Sequence, residues 1–228
     1  MKVFVSKSDI DGERITVSDE DLHHLEKVLR AKNGETIIAC DGEFDYRCEF
    51  EDKALVIKDR LRCESENKTH ITIFQGVPKQ NKMETIIQMA SELGVDRIIP
   101  IKTEHCIADL PNEKKLERWR KIASESAKQC RRDRVLSVEN GVSFDEALIK
   151  AKELDFSFIL YEHEKDNKLK NLELPDKIGV FIGSEGGFSA KEIARANIES
   201  ITLGKRILRT QTVAAVITAI ILAQKGEI

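Results

Sequence analysis

The sequence lacks an excess of positive charge: 37 lysines and arginines face 40 aspartates and glutamates, a formal net charge of −3. That balance excludes a uniformly basic nucleic-acid binder, although local basic patches stay open, because affinity for phosphate depends on where the charge sits. Long hydrophobic runs are missing too. The start, MKVFVSKSDIDGE, holds no apolar run of signal-peptide length, and the longest apolar stretch, Val213 to Ala223, is broken by Thr218 and too short to cross a bilayer. A buried core helix is the better reading of it. Five cysteines, at positions 40, 48, 63, 106 and 130, include no CxxC pair, and their odd number argues against a disulfide framework. His23 and His24 are adjacent and so lie on different faces of a helix, and no pairing of histidine and cysteine has ligand spacing. No metal is expected, no membrane, and a reducing, cytoplasmic location.

What is present is a chain of 228 residues, 41% hydrophobic and 34% charged, enough for a packed core with a solvated surface. The first third reads as β-rich. Short apolar runs at Val3–Val5, Thr36–Ala39 and Leu55–Ile57 are separated by the turn signals Asp11-Gly12, Asn33-Gly34 and Asp41-Gly42. One helix interrupts them, with Ser18 as its cap, Asp21 in its first turn and Leu22, Leu25, Val28 and Leu29 as an apolar stripe. The polar segment Arg62 to Thr69 has almost nothing to bury and reads as a linker. It divides the chain into domains 1–68 and 69–228.

From Ile71 onward strands and helices alternate. Ile71–Phe74, Arg97–Ile101, Phe156–Tyr161, Ile178–Ile182 and Ile198–Leu203 read as strands. Helices are expected over Met83–Leu93 with Gly94 as the stop, along the Leu116–Cys130 stripe, from the Ser143/Glu146 capping box to Leu154, after the Ser189/Glu192 box, and from about Thr212. That alternation predicts an α/β domain with a mostly parallel sheet.

In such sheets ligands bind beyond the carboxyl ends of the strands. Two segments leave strand ends with unusual composition. In GSEGGF, residues 183–188, no Gly-Lys-Ser/Thr follows and there is no GxGxxG, so neither phosphate-loop pattern is met. Gly183, Gly186 and Gly187 either make a tight strand-to-helix turn or let bare backbone approach a ligand. In LGKRILRTQT, residues 203–212, Lys205, Arg206 and Arg209 surround the apolar pair Ile207-Leu208. Apolar loop residues there cover either core or the flat face of a ligand, and the cations suit a phosphate or an anionic transition state. Further cations cluster at Lys27, Arg30 and Lys32, at Lys79 and Lys82, and at Lys114 to Arg134. They form either solvated helix faces or a polyanion-binding surface.

Taken together, IGSEGGFS, LGKRILRTQT, QGVPKQNKMETIIQMASELGVDRIIP, ERWRKIASESAKQCRR and HLEKVLRAKNGE resemble, in order and over nearly the whole chain, the motifs of the ribosomal RNA small subunit methyltransferase E family of the SPOUT superfamily. The resemblance implies an N-terminal PUA-like β-barrel that helps bind RNA and a C-terminal SPOUT-type, trefoil-knotted α/β domain. It implies S-adenosylmethionine as methyl donor, N3 of a uridine in 16S ribosomal RNA as target, with the assembled 30S subunit as the expected substrate, and a homodimer. Gly183, Glu185, Gly186, Leu203, Gly204, Ile207, Leu208 and Thr210 match its cofactor positions, with Leu160 and Gly187 beside them. Arg209 is the candidate for charge stabilisation, and Glu185 either acts as base or accepts hydrogen bonds from the loop. Arg30, Lys79, Lys82, Arg132 and Arg206 are the candidate RNA contacts. The chain departs from the family pattern at Ser184, where proline is common, at Gln211 and Val213, where glutamate and alanine are common, and at Lys2 and His105, where arginine is frequent. Two other readings remain: a SPOUT methyltransferase for another RNA base or transfer RNA, and a non-catalytic RNA-binding assembly factor.

Overall fold

The computed structural model describes residues 2–28, 30–169 and 172–228. The chain forms two compact units. One runs to Glu66 and takes in Ala127–Arg134, and the other holds Asn67–Ser126 and Val135–Ile228.

The first unit carries strands β1 (Lys2–Phe4), β2 (Ile10–Asp11) and β3 (Arg14–Ile15), helix α1 (Asp19–His23), and strands β4 (Thr36–Cys40), β5 (Phe44–Glu51) and β6 (Ala54–Arg62). They pair in the order β1-β4-β5-β6-β3-β2, with β1 and β4 parallel and the other neighbours antiparallel. Asp41-Gly42 turns the chain from β4 to β5, and Asp41 Oδ1 accepts the N–H groups of Glu43 at 2.8 Å and Phe44 at 2.7 Å. Asp52 and Lys53, at φ 46° and 66°, form the two-residue turn from β5 to β6. Strand β5 was not expected, because its charged residues hide a period of two in which Tyr46, Cys48 and Phe50 are buried. Those side chains join Val3, Ile15, Leu25, Ile37 and Leu55 in the core of this unit.

Ser18 caps α1, its Oγ accepting the Asp21 N–H at 3.2 Å. The helix lasts five residues and continues as a π-helical turn, His24–Val28. Leu22 and Leu25 pack on the core, Val28 is 61% exposed, and Leu29 lies outside the described residues. The segment read as a linker is engaged: Glu66 accepts hydrogen bonds from the Arg132 guanidinium and from the backbone N–H groups of Asp133 and Arg134.

The second unit carries β7 (His70–Gly76), α2 (Lys82–Glu92), β8 (Arg97–Lys102), α3 (Glu113–Cys130), β9 (Ser137–Val138), β10 (Val142–Ser143), α4 (Phe144–Ala151), β11 (Phe156–Leu160), β12 (Lys177–Ile182), α5 (Ala190–Ala196), β13 (Glu199–Ile201) and α6 (Thr210–Lys225). The last residues of α3 count with the first unit. Every pairing is parallel, in the order β10-β8-β7-β12-β11-β13, with β9 beside β8. Alternate strand residues face opposite sides, as the strand period requires. Ile73, Ile98, Phe158, Val180 and Ile182 pack with residues of α2, α3 and α6, while Phe74, Ile99, Ile159 and Phe181 pack with α4 and α5. The Phe74 and Phe181 rings stack at 4.3 Å between centroids. Both expected capping boxes form, at Ser143/Glu146 and Ser189/Glu192. Helix α4 stops at Ala151, short of Leu154, and α6 starts at Thr210, two residues before the expected Thr212.

Candidate active-site cleft

Because β11, β12 and β13 are parallel neighbours, their carboxyl ends emerge along one edge of the sheet. There the chain encloses a cleft of about 400 Å³, inside the range of roughly 300–1,000 Å³ usual for small-molecule sites. Leu160, Ile182, Leu203, Ile207 and Leu208 supply apolar wall, and Lys82, Glu162, Glu185, Arg206 and Arg209 bring charge to its margins.

The loop after β12 forms one wall and is pinned from several directions. Beneath it lies Gln75, fully buried at the end of β7. Its Nε2 donates to Gly76 O at 3.0 Å, Thr210 Oγ1 at 2.9 Å and Gly183 O at 3.3 Å, and Thr210 Oγ1 donates to the same Gly183 O at 2.8 Å. Glycine is required where backbone meets backbone: a Cβ on Gly76 would lie 2.5 Å from Ser184 N, and one on Gly183 would lie 2.9 Å from Gly187 Cα. On the outer side, the Glu185 carboxylate accepts the Lys79 N–H at 3.1 Å and the Lys82 ammonium at 2.7 Å. Burial pushes the Glu185 carboxyl up, but the hydrogen bonds from Lys82, its own N–H and Lys79 outweigh this and hold it below the usual carboxylate range. His105 Nδ1 lies 2.9 Å from Gly186 O, and Glu104 accepts the Ser189 hydroxyl at 2.6 Å.

The opposite wall, residues 203–209, is open. Gly204 N–H donates to Thr202 Oγ1 at 3.2 Å, but among the described residues nothing hydrogen-bonds the amides of Lys205, Arg206, Ile207 or Leu208. Ile207 is 86% exposed. Among the described residues, no carboxylate pairs with Lys205, Arg206 or Arg209, in contrast to Lys82. Arg209 stands at the N-cap of α6 without a side-chain cap. Among the described residues, three buried polar atoms find no partner: Gln75 Oε1, Ser184 Oγ and Gln211 Oε1. Ser184 and Gln211 line the cleft. An unpaired buried oxygen costs about 1–3 kcal/mol, so these atoms are suited to a bound molecule that donates hydrogen bonds.

Of the residues singled out from sequence, Leu160, Gly183, Glu185, Gly187, Leu203, Gly204, Ile207, Leu208, Arg209 and Thr210 line this cleft, as do Lys82 and Arg206. Gly186 turns away toward His105. Lys79 reaches the site through its backbone N–H while its residue surface is exposed. Arg30 is exposed in the first unit at φ 54°. Arg132, also in that unit, is 4% exposed with its guanidinium on Glu66 at 2.6 Å, which gives it a structural part. Gln75 and Glu162 were missed. A lone amide ending the apolar run HITIFQG was a signal for Gln75, since a buried amide needs partners.

Comparison with known proteins bears on this geometry. Residues 65–222 match the family model described as RNA methyltransferase domain, and residues 17–58 match the RNA methyltransferase PUA domain. The ribosomal RNA small subunit methyltransferase E of Bacillus subtilis is 31% identical over 220 residues, 86% of this chain and 85% of that protein. The chain belongs to that family. A ribosomal RNA small subunit methyltransferase E from Neisseria gonorrhoeae, solved bound to S-adenosylmethionine, superposes with a TM-score of 0.88 at 27% identity, over 97% of this chain and 96% of its own. A TrmH/SpoU tRNA modifying enzyme from A. aeolicus, 16% identical with a TM-score of 0.50 over 72% of this chain and 79% of its own, shares the fold alone. The second unit is thus an α/β domain of SPOUT type, preceded in this family member by a PUA domain.

Proposed function

We propose that this chain methylates N3 of a uridine in 16S ribosomal RNA, within the 30S subunit, in the cytoplasm and as a homodimer. At the coarser level it is an S-adenosylmethionine-dependent RNA methyltransferase, as its family membership supports. The observation that carries the reading is the cleft itself: apolar walls, glycine backbone on one side and unpaired cations on the other. The cofactor fits these residues. Leu160, Leu203, Ile207 and Leu208 offer apolar surface for a flat base, and Ser184 Oγ and Gln211 Oε1 are acceptors in want of donors. When bound, S-adenosylmethionine supplies an electrophilic methyl group on a sulfonium.

The protein's part is to position the uracil and to stabilise charge on it. N3 carries a proton in the free base; as that proton passes to solvent water at the open side of the cleft, negative charge develops on the ring. Arg209, unpaired and on the rim of the cleft, is placed to stabilise that charge. Glu185 is a weak proton acceptor, because its lone pairs are already engaged and its carboxyl is held low. It acts instead as a positioning residue that ties Lys79 and Lys82 to the glycine loop. N3 of a paired uridine is hidden, so the target is unpaired or extruded. Arg30, Lys79 and Arg206, all exposed, serve as phosphate contacts, whereas the Lys82 ammonium is taken up by Glu185.

The test is single-turnover transfer of labelled methyl to 30S subunits and to naked 16S rRNA, followed by mass spectrometry of the nucleosides. One 3-methyluridine per 16S rRNA is expected, with Arg209→Ala slower by about 10²–10³-fold, the usual loss for a charge-stabilising group. Methyl on another atom or base would overturn the specificity. An Arg209→Ala rate equal to wild type would remove its assigned role.

A further inference from the structure

In the first unit the fold gathers four groups that no sequence spacing connects. Cys40 ends β4, Asp45 is its partner on β5, Cys63 follows β6, and Asp133 lies just past α3. One ligand atom from each lies within 4.8 Å of all the others. Cys40 Sγ and Cys63 Sγ are 3.6 Å apart, and Cys63 Sγ is 3.8 Å from Asp45 Oδ1. A tetrahedral zinc-class ion, with sulfur at about 2.3 Å and oxygen at about 2.1 Å, sets two sulfurs about 3.8 Å apart and sulfur and oxygen about 3.6 Å apart. The observed separations already match those edges. The two cysteines are free thiols, their sulfurs 3.6 Å apart where a disulfide bond would hold them at about 2.05 Å.

The surroundings are those of a cation site. Asp133 Oδ2 accepts the Ser65 N–H at 2.7 Å, which orients the carboxylate and leaves Oδ1 facing the cage. Gly42 N–H donates to Cys40 Sγ at 3.4 Å, a bond that favours a thiolate. The cage also contains a positive charge: the Lys2 ammonium, 4% exposed, lies 2.9 Å from Asp45 Oδ1 and hydrogen-bonds Asp133 Oδ1. Burial pushes both the Cys40 and the Cys63 thiols up.

We propose that this cage takes a zinc-class divalent ion on the two sulfurs and two carboxylates, in exchange for the Lys2 ammonium. Charge and protons balance simply: the two thiols release two protons to solvent as the metal–sulfur bonds form, and no oxidant or reductant is needed.

The test titrates metal-free, full-length protein with Co²⁺ as a spectroscopic probe and then with Zn²⁺ as competitor. One Co²⁺ per chain is expected, with a sulfur-to-cobalt charge-transfer band and strong tetrahedral visible bands that Zn²⁺ abolishes. Cys40→Ser and Cys63→Ser each weaken the charge-transfer band, and the double variant loses it. Lys2→Met, with Lys2→Gln as a second variant should the first not fold, binds at least tenfold tighter because the competing cation is gone. Bands that persist in the Cys40→Ser, Cys63→Ser double variant would overturn the assignment in favour of other thiols. Bands seen in a folded Lys2 variant but not in wild type would make the ammonium the permanent occupant and overturn the exchange. No bands in wild type or in any folded Lys2 variant would overturn the site altogether.

Discussion

Residues 183–188 hold three glycines and are tied to β7, α2, α6 and the His105 segment, whereas residues 203–209 hold three unpaired cations and almost no hydrogen bonds of their own. Both loops leave parallel strands and both face one cleft. They differ in what surrounds them. The first lies over the middle of the sheet, where neighbouring elements supply partners for the Gly183 and Gly186 carbonyls and the Glu185 carboxylate. The second leaves the edge strand β13, where solvent is the main neighbour. A fixed wall sets the geometry for a ligand, and an open wall with an exposed Ile207 and free cations adapts to it.

Crowding the fixed wall has the largest expected effect. Gly76→Ala places a methyl 2.5 Å from Ser184 N, and since the obstacle is backbone the glycine loop must move. Overpacking of this kind costs about 1–3 kcal/mol or more. Calorimetry should find S-adenosylmethionine binding weakened by at least a hundredfold, and thermal melts a lower Tm. Next comes Gln75→Leu, which withdraws one donor from Gly183 O and one from Thr210 Oγ1. At about 1–3 kcal/mol for a buried group left short of a partner, roughly tenfold weaker cofactor binding is expected, with the far-UV circular dichroism unchanged.

Glu185→Gln sharpens the comparison through pH. The Glu185 carboxyl is held low in the folded protein, so its contribution is complete above the unfolded value of about 4.3. It is lost as the pH falls through the lower folded value. Stability measured in denaturant from neutral to acid pH should therefore fall less steeply at the acid end in the glutamine variant. At neutral pH the difference is below about 1 kcal/mol, because the pair with Lys82 is partly exposed. The smallest effect on stability belongs to the open wall. Lys205→Ala with Arg206→Ala should leave stability within about 0.5 kcal/mol, yet flatten the salt dependence of RNA binding by about 0.7 in log–log slope for each cation that meets single-stranded phosphate. A loss of stability as large as that of Gln75→Leu would erase the distinction between the walls.

The alternation of strands and helices, both capping boxes and the two cleft loops were legible because each is written in adjacent residues. The partners of those loops were not. Glu185 meets Lys82 across 103 residues, and Gln75 meets Thr210 across 135. No local pattern carries pairings of that length. The same holds for Arg132, which reads as a free cation in ERWRKIASESAKQCRR but is buried against Glu66, and for the four residues around Lys2. Strand β5 differs, since its period of two was there to be read beneath the charges.

The contrast between the walls is tested most directly by amide hydrogen exchange of residues 183–188 and 203–209, with and without S-adenosylmethionine. The expected result is that 183–188 is protected before the cofactor is added, while 203–209 exchanges fast and becomes protected on binding. Fast exchange of 183–188 in the free protein, or no change at 203–209 with saturating cofactor, would contradict it.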